Sequence, residues 1–274
     1  MSSAGHWTEA LQAWAIPQHI LDGAPGSPWG YDPRLFVARA EAAQHEQTPS
    51  QRRALEALPE GGTVLDVGCG GGAASLPLAA HAGKLIGVDS SADMLSAFAR
   101  ASRNAGVDVE TVQGRWPDVA GQTPIADVIV CHHVAYNAAD LASFVQALTA
   151  HARRRVVMEL TNVHPMSRLN ALWLRLHGLV RPSTPTADDA MSVIRETGVE
   201  PQREECEGRT LTWEAGFTTL ETLSAETRRR LCLPREREAE VTEALRPMLL
   251  ERDGLFSLPM LPLVTLWWPG GAPR

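Results

Sequence analysis

Apolar positions between Thr63 and Leu160 follow a regular alternation of two patterns. Short apolar runs rich in β-branched residues, each the length of a strand, alternate with amphipathic stretches the length of a helix. This alternation, with short loops, predicts a parallel sheet that helices cover on both faces, joined by right-handed crossovers. The predicted strands are Thr63–Val67, Lys84–Val88, Val109–Gln113, Ala126–Cys131 and Arg155–Leu160.

The helices between these strands are predicted from apolar spacing and from residues that cap helix ends. One helix is expected over Ala73–Ala82, with Gly83 as its C-terminal cap. Another is expected to begin after Ser90 or Ser91, either of which is a suitable N-terminal cap, and to end near Ala105.

Helical patterns dominate once the alternation breaks after Leu160. Thr161–Pro185 and Pro185–Thr197 are predicted as helices, and a charge-rich, mostly helical stretch follows later in the chain. We therefore predict two helical insertions, at about 161–198 and 209–258.

Two further strands are predicted outside the regular alternation. They are a strand near Gln202–Glu207 and a final apolar strand over Met260–Trp268, and they raise the predicted number of strands to seven. All seven are assigned to one α/β domain, residues 59–274.

The N-terminal segment, residues 1–58, has no strand pattern. Trp7 and Trp14 lie at helical spacing, and Pro33–Gln44 and Ser50–Leu58 continue with helical patterns. We predict an N-terminal helical cap. Two interpretations remain open: the cap simply covers the sheet, or it is a lid that closes on a substrate.

Composition narrows the class of protein. The 274 residues are 44% hydrophobic and 21% charged, which is typical of a soluble globular protein, and the net charge of −7 disfavours nucleic acid as a partner. No apolar run reaches the roughly 20 residues that span a bilayer, and no signal peptide is recognisable, so a cytoplasmic protein is expected. The four scattered cysteines predict reduced thiols and no zinc site.

The most informative local motif is Thr63–Gly72, which reads TVLDVGCGGG. It predicts a strand, a glycine-rich turn and then a helical pattern. Glycines allow a tight turn and a close approach of the backbone to a ligand, and ligands of such sheets bind at the carboxyl ends of the strands. The turn alone is also compatible with NAD or FAD.

Three motifs at fitting spacing resemble those of the class I methyltransferases that depend on S-adenosylmethionine (SAM). Val64–Gly72 is similar to the first motif of that family, Leu85–Leu95 to the second, and Asp127–Asn137 to the fourth strand with its following loop. The resemblance covers about Ala54–Leu160. It implies a Rossmann-like, doubly wound, seven-stranded, mostly parallel sheet with an antiparallel last strand.

The resemblance also implies SAM as the cofactor and S-adenosylhomocysteine (SAH) as its product. Asp66 is expected to orient the SAM ammonium, Asp89 to accept hydrogen bonds from the ribose, and Met94 to pack on the adenine. The residues implied for cofactor binding are Asp66, Gly68, Cys69, Gly70, Asp89, Ser90, Met94, Gly114, Arg115, Trp116 and His132.

Arg115 departs from the family pattern, because many relatives carry an acidic residue at this position. A backbone carbonyl or Asp118 is the expected replacement for the usual contact with the adenine amino group. Trp116 is expected to stack on the adenine ring.

Catalytic candidates follow the fourth and fifth predicted strands. His132, His133 and His164 are candidate bases, with Tyr136 and Glu159 on the same predicted rim. Because neighbouring side chains of a strand point to opposite faces, we expect His132 near SAM and His133 or His164 nearer the acceptor. No metal site is expected.

The sequence therefore predicts methyl transfer from SAM to a small-molecule acceptor by in-line displacement, with O-, N- and C-methylation left open. Apolar side chains outside the motifs favour an apolar or aromatic acceptor. An NAD-dependent oxidoreductase and a non-catalytic SAM-binding module are the alternatives. A monomer or a homodimer is expected, without nucleic acid or membrane as partner.

Overall fold

The computed structural model describes residues 2–29, 40, 43–44, 47–207, 217–252 and 254–273. Its strands in chain order are β1 Gly62–Val67, β2 Ala82–Asp89, β3 Asp108–Gln113, β4 Ala126–His132, β5 Ala152–Thr161, β6 Gln202–Cys206, β7 Leu250–Arg252, β8 Leu255–Ser257 and β9 Leu263–Pro269. All but β7 and β8, which form a separate hairpin, belong to one sheet.

The strand order of that sheet is β3-β2-β1-β4-β5-β9-β6. Strands β1 to β5 pair in parallel, and β9 runs antiparallel between β5 and β6. The predicted fold class, a mostly parallel sheet of seven strands with an antiparallel last strand, is confirmed. The order reverses between β1 and β4, and a crevice at the carboxyl ends of strands is expected at such a reversal.

Helices cover both faces of the sheet. They are α1 Ser3–Gln12, α2 Gln18–Asp22, α3 Pro49–Leu55, α4 Ala92–Asn104, α5 Leu141–His151, α6 Asn170–His177, α7 Ala187–Glu196, α8 Leu220–Arg230 and α9 Glu238–Leu245. Apolar side chains of α5 and α7 pack on one face of the sheet, and those of α3 and α4 pack on the other. None of the helices in the described ranges is long and apolar enough to cross a membrane.

The helix predicted over Ala73–Ala82 is wrong. Only Leu76–Leu78 is helical there, as a short 3-10 turn, and Gly83 lies inside β2 rather than at a helix end. Pro77 cannot donate a backbone hydrogen bond to a longer helix. The backbone N–H of Gly61 instead donates to the carbonyl of His81 at 2.9 Å, and strand β2 begins at the next residue, Ala82.

The long helix predicted over Thr161–Pro185 is shorter than expected. A 3-10 turn, Pro165–Leu169, precedes α6, and Gly178 ends that helix in the left-handed region at φ 65°. The following prolines keep the chain extended as far as the cap of α7. The hairpin of β7 and β8 was not predicted, and most of the helix predicted over Pro33–Gln44 lies outside the described residues.

The first helix is fixed on the domain through its N-terminus and through two side chains. Glu196 of α7 accepts from the backbone N–H groups of Ser3 and Ala4 at 2.6 and 3.0 Å. The indole of Trp7 donates to the carbonyl of Ala138 at 2.8 Å, and Thr8 donates to the next carbonyl at 2.8 Å. Helix α1 therefore braces the loop that follows β4. A separate cap domain stays a prediction.

Truncating Trp7 tests this brace. The ring is fully buried, so we expect Trp7→Ala to lower the free energy of unfolding by about 3–5 kcal/mol. Urea denaturation followed by circular dichroism measures this change. Trp29→Ala is the matched control, because Trp29 is half exposed and its loss should change stability by no more than about 0.5 kcal/mol. Equal effects of the two substitutions would contradict the brace.

Candidate active site

A cavity of about 640 Å³ opens at the carboxyl ends of β1, β2 and β4. It is lined by most of the residues that the sequence predicted for the cofactor or for catalysis, but Asp118 and Glu159 are not among its lining residues. The role of each residue stays a prediction. The predicted residues that line the cavity include Asp66, Gly68, Cys69, Gly70, Asp89, Ser90, Met94, Gly114, Arg115, Trp116, His132, His133 and His164.

The glycine turn after β1 is held against β2 by its backbone. The N–H groups of Gly68 and Cys69 both donate to the carbonyl of Val88, at 2.8 and 3.0 Å. Gly68 lies in the left-handed region, and a Cβ at this position would come within 2.4 Å of the Val134 side chain. Glycine is therefore required here both by backbone conformation and by the closeness of the loop after β4.

Asp89, at the end of β2, connects the glycine turn to helix α4. One carboxylate oxygen accepts from the N–H of Gly70 at 3.0 Å, and the other accepts from Ser91 at 2.9 Å. Ser91 in turn caps α4, as one of the two predicted caps. Each carboxylate oxygen has more than one lone pair, so both can also accept from a ligand hydroxyl.

Asp66 is buried at the end of β1 and accepts a hydrogen bond from the Ser75 hydroxyl at 2.6 Å. Burial raises the pKa of the Asp66 carboxyl to about 7, and the negative charge of Asp89 adds to this rise while the Ser75 hydroxyl opposes it. A cation bound beside Asp66 would stabilise its ionised form.

The loop after β3 forms another wall of the cavity. The Gly114 N–H donates to the carbonyl of Asp89 at 3.0 Å, and a Cβ on Gly114 would meet the Val119 side chain at 2.1 Å. Trp116 is nearly buried, and its indole donates to the carbonyl of Phe144 at 3.3 Å. This bond fixes the ring at the edge of the cavity, opposite Met94.

His132 and His133 both approach the carboxylate of Glu159. The Oε1 atom of Glu159 lies 3.2 Å from Nε2 of His133 and 3.9 Å from Nδ1 of His132. The expectation that these neighbours point to opposite faces is therefore wrong. Strand β4 ends at His132, and His133 adopts a left-handed backbone with φ 60°, which returns its side chain toward β5.

Glu159 is ionised although it is buried. Burial alone would raise its pKa, but the positive charge of His132 when that ring is protonated, together with His133 and the Ser50 hydroxyl, lowers the pKa to about 2. Ser50, on α3, donates to the second carboxylate oxygen. The sequence placed Ser50 only at the start of a predicted helix, and no local signal marks a contact across 109 positions of the chain.

His164 lies on the far side of the cavity and stacks on Trp14, with ring centroids 4.0 Å apart. Its Nδ1 accepts from the N–H of Met166 at 3.2 Å. Burial, together with the positive charge of Arg181, lowers the pKa of His164 to about 3. The ring is therefore neutral at neutral pH, and its proton lies on Nε2 because Nδ1 accepts a hydrogen bond.

No group of acidic, histidine or cysteine side chains suitable for a metal ion occurs in the described part of the chain. The arrangement around the cavity consists of a glycine cradle, two carboxylates on one side and a histidine pair on the other.

Comparisons with known proteins agree on one family. A family model for a methyltransferase domain matches residues 64–155. The chain is 30% identical over 188 residues to a ubiquinone biosynthesis O-methyltransferase of Rhizobium rhizogenes, a match that covers 61% of this chain and 73% of that protein. The chain belongs to the class I SAM-dependent methyltransferases. It is accordingly an enzyme, and the oxidoreductase and the non-catalytic module are not supported.

Solved structures with low sequence identity share the fold. A cyclopropane-fatty-acyl-phospholipid synthase-like protein from Lactobacillus casei superimposes with a TM-score of 0.53 at 16% identity, over 92% of this chain and 98% of the other. Magnesium protoporphyrin IX methyltransferase from Synechocystis, solved with bound SAH, gives a TM-score of 0.51 at 13% identity, over 97% and 95% of the two chains. Both likenesses support the Rossmann-like architecture.

The residues around the cavity fit the cofactor of this family. The glycine turn at Gly68 lines the cavity, and the acidic pair of Asp66 and Asp89 suits the positive charge and the ribose hydroxyls of SAM. Nε2 of His132 is buried without a hydrogen-bond partner among the described residues, which also calls for a bound group.

Because the pKa of Asp66 is raised, we expect ligand binding to depend on pH. Below about pH 7 its carboxyl is protonated and must lose that proton to pair with the ammonium of SAH, so affinity should fall as pH falls. We expect a weakening of about tenfold per pH unit between about pH 7 and pH 5.5. Isothermal titration calorimetry with SAH measures it. Asp66→Asn should bind more weakly but with a flat pH response; an equally steep response would contradict this role.

Proposed function

We propose that this enzyme binds SAM in the cavity and transfers its methyl group to a small-molecule acceptor. The observation that carries the proposal is that a glycine cradle with two carboxylates and a histidine pair line the same cavity. The glycine cradle and the two carboxylates suit a cationic nucleoside, and the histidine pair suits proton transfer at a reacting atom.

In this proposal the cofactor is held by four contacts. Asp89 accepts from the ribose hydroxyls and Asp66 pairs with the ammonium, while Met94 and Trp116 enclose the adenine. Bound SAM supplies an already activated methyl group, so the main tasks of the protein are to position the acceptor and to exclude water.

The acceptor is proposed to lie beyond the histidine pair, where the cavity wall is largely apolar and aromatic. Trp29, Tyr136, His164 and Met166 line this part. A flat, apolar or aromatic molecule fits such a wall, and the Nε2 proton of His164 can donate to one polar atom on it. The likeness to an O-methyltransferase supports oxygen as the acceptor atom.

The N-terminal segment is proposed to be a fixed wall of this acceptor region. Arg181, in the insertion after β5, donates to the carbonyls of Trp14 and Ala15, and the Trp14 indole donates to the carbonyl of Thr184 at 2.6 Å. Since Trp14 also stacks on His164, the segment supports the acceptor wall directly. These bonds favour the covering interpretation over a hinged lid for residues 2–22.

Calorimetry with SAH tests the cofactor assignment. Asp89→Ala should weaken SAH binding by at least about tenfold, because hydrogen bonds to a charged group contribute about 1.5–3 kcal/mol. Asp108→Ala, which removes an exposed carboxylate at the start of β3, should leave the affinity unchanged. Circular dichroism verifies that both variants are folded, and Asp89→Asn provides a milder substitution. Unchanged affinity in both Asp89 variants would refute the assignment.

A further inference from the structure

One imidazole nitrogen at the rim of the cavity lacks the partner that a buried polar atom needs. Nε2 of His132 is buried and has no hydrogen-bond partner in the described ranges, while the His132 ring lines the cavity. An unpaired buried polar atom destabilises the folded protein, so its persistence points to a ligand atom that binds there during function.

The other nitrogen of the same ring faces an ionised carboxylate. Nδ1 of His132 lies 3.9 Å from Oε1 of Glu159, which is the nearest charged group to it on β5. Burial lowers the pKa of His132, the Glu159 charge raises it, and neighbouring His133 lowers it further, so the ring is neutral at rest. A neutral imidazole carries one proton, and the carboxylate favours that proton on Nδ1, which leaves a lone pair on Nε2.

Glu159 is fixed from two sides. Since an ionised carboxylate only accepts, Nε2 of His133 donates to Oε1 at 3.2 Å, and Ser50 of α3 donates to Oε2. The backbone N–H of His133 also donates to the carbonyl of Glu159 at 2.7 Å. These bonds fix the position of the Glu159 carboxylate and stabilise its negative charge. A carboxylate that orients a catalytic base needs both properties.

We propose that Nε2 of His132 accepts a proton from the acceptor, and that Glu159, Ser50 and His133 are the positioning residues that make it basic. This inference rests on the proposed methyl transfer and names its substrate class: a molecule whose methylated atom is an un-ionised hydroxyl of phenol type. An acceptor that is already ionised would not need this arrangement.

The atoms of this step balance. The hydroxyl proton passes to Nε2 of His132, and an oxygen lone pair forms the new bond to the methyl carbon. The bond between that carbon and the cofactor sulfur breaks, with its electron pair left on sulfur. The Glu159 carboxylate stabilises the imidazolium, which then releases its proton to water.

Nuclear magnetic resonance of histidine labelled with nitrogen-15 tests the proton positions without any acceptor. Spectra are recorded with and without SAH, and two-bond couplings identify the tautomer of His132. We expect the proton on Nδ1 and a bare Nε2. In Glu159→Gln we expect the pKa of His132 to fall and the two tautomers to mix, whereas Glu110→Gln, a half-buried carboxylate on β3 that pairs with Lys84, should change neither. A proton on Nε2 of the wild-type neutral ring would overturn the proposal.

A phenol series with labelled SAM tests the role in catalysis. Near pH 8.5, where 4-nitrophenol is almost fully ionised and catechol is not, His132→Asn should lower the rate on catechol by at least about 100-fold but lower the rate on 4-nitrophenol much less. His81→Asn, which changes an exposed histidine far from the cavity, is the control. Glu159→Gln should lower the rate and move the acid limb of its pH profile to lower pH. A loss that is the same for both phenols would overturn the proposal.

Calorimetry with SAH separates the two hypotheses. If SAH binds the wild type and His132→Asn equally but the couplings show the opposite tautomer, the base assignment fails and the proposed function survives. If SAH binds neither protein, the proposed function fails, and the coupling measurement without SAH still decides the state of His132.

Discussion

The parallel pairing of β1 with β4 is the constraint on which the site depends. The strand order reverses between these two neighbours, so the loops that follow them diverge and leave a cavity. Asp66 lies opposite Val130 in this pairing, and β4 continues two residues further to His132. At about 3.3 Å per residue, this extension places the histidine roughly 7 Å beyond the level of the carboxylate. Asp66 and His132 thus lie on one rim of the cavity.

Two carboxylates along this rim are in different electrostatic environments. Glu159 has two histidines and a hydroxyl around it, and its pKa falls to about 2 in spite of burial. Asp66 has only the Ser75 hydroxyl beside it, and its pKa rises to about 7. One carboxylate is therefore supplied with partners by the protein itself, and the other lacks a cation. This difference separates a group that orients neighbouring side chains from a group suited to a charged ligand.

The parts of the chain outside the alternating region complete the site by long-range contacts. Helix α1 braces the loop after β4 through Trp7, and Trp14 stacks on His164 beside the acceptor wall. Helix α3 contributes Ser50 to the Glu159 carboxylate. The N-terminal segment is accordingly part of the architecture around the cavity. Its contacts are made to residues more than a hundred positions away in the chain.

The sequence by itself determined the strands of the seven-stranded sheet and the glycine turn, because apolar period, turn chemistry and strand ends are local properties. The helix predicted over Ala73–Ala82 is wrong, because Pro77 cannot donate a backbone hydrogen bond to a longer helix and β2 already begins at Ala82. Only the tertiary structure decided that His133 turns back to Glu159, that Ser50 reaches the same carboxylate, and that His164 is held as a donor. These features depend on a left-handed residue and on packing between distant segments, which no local pattern encodes.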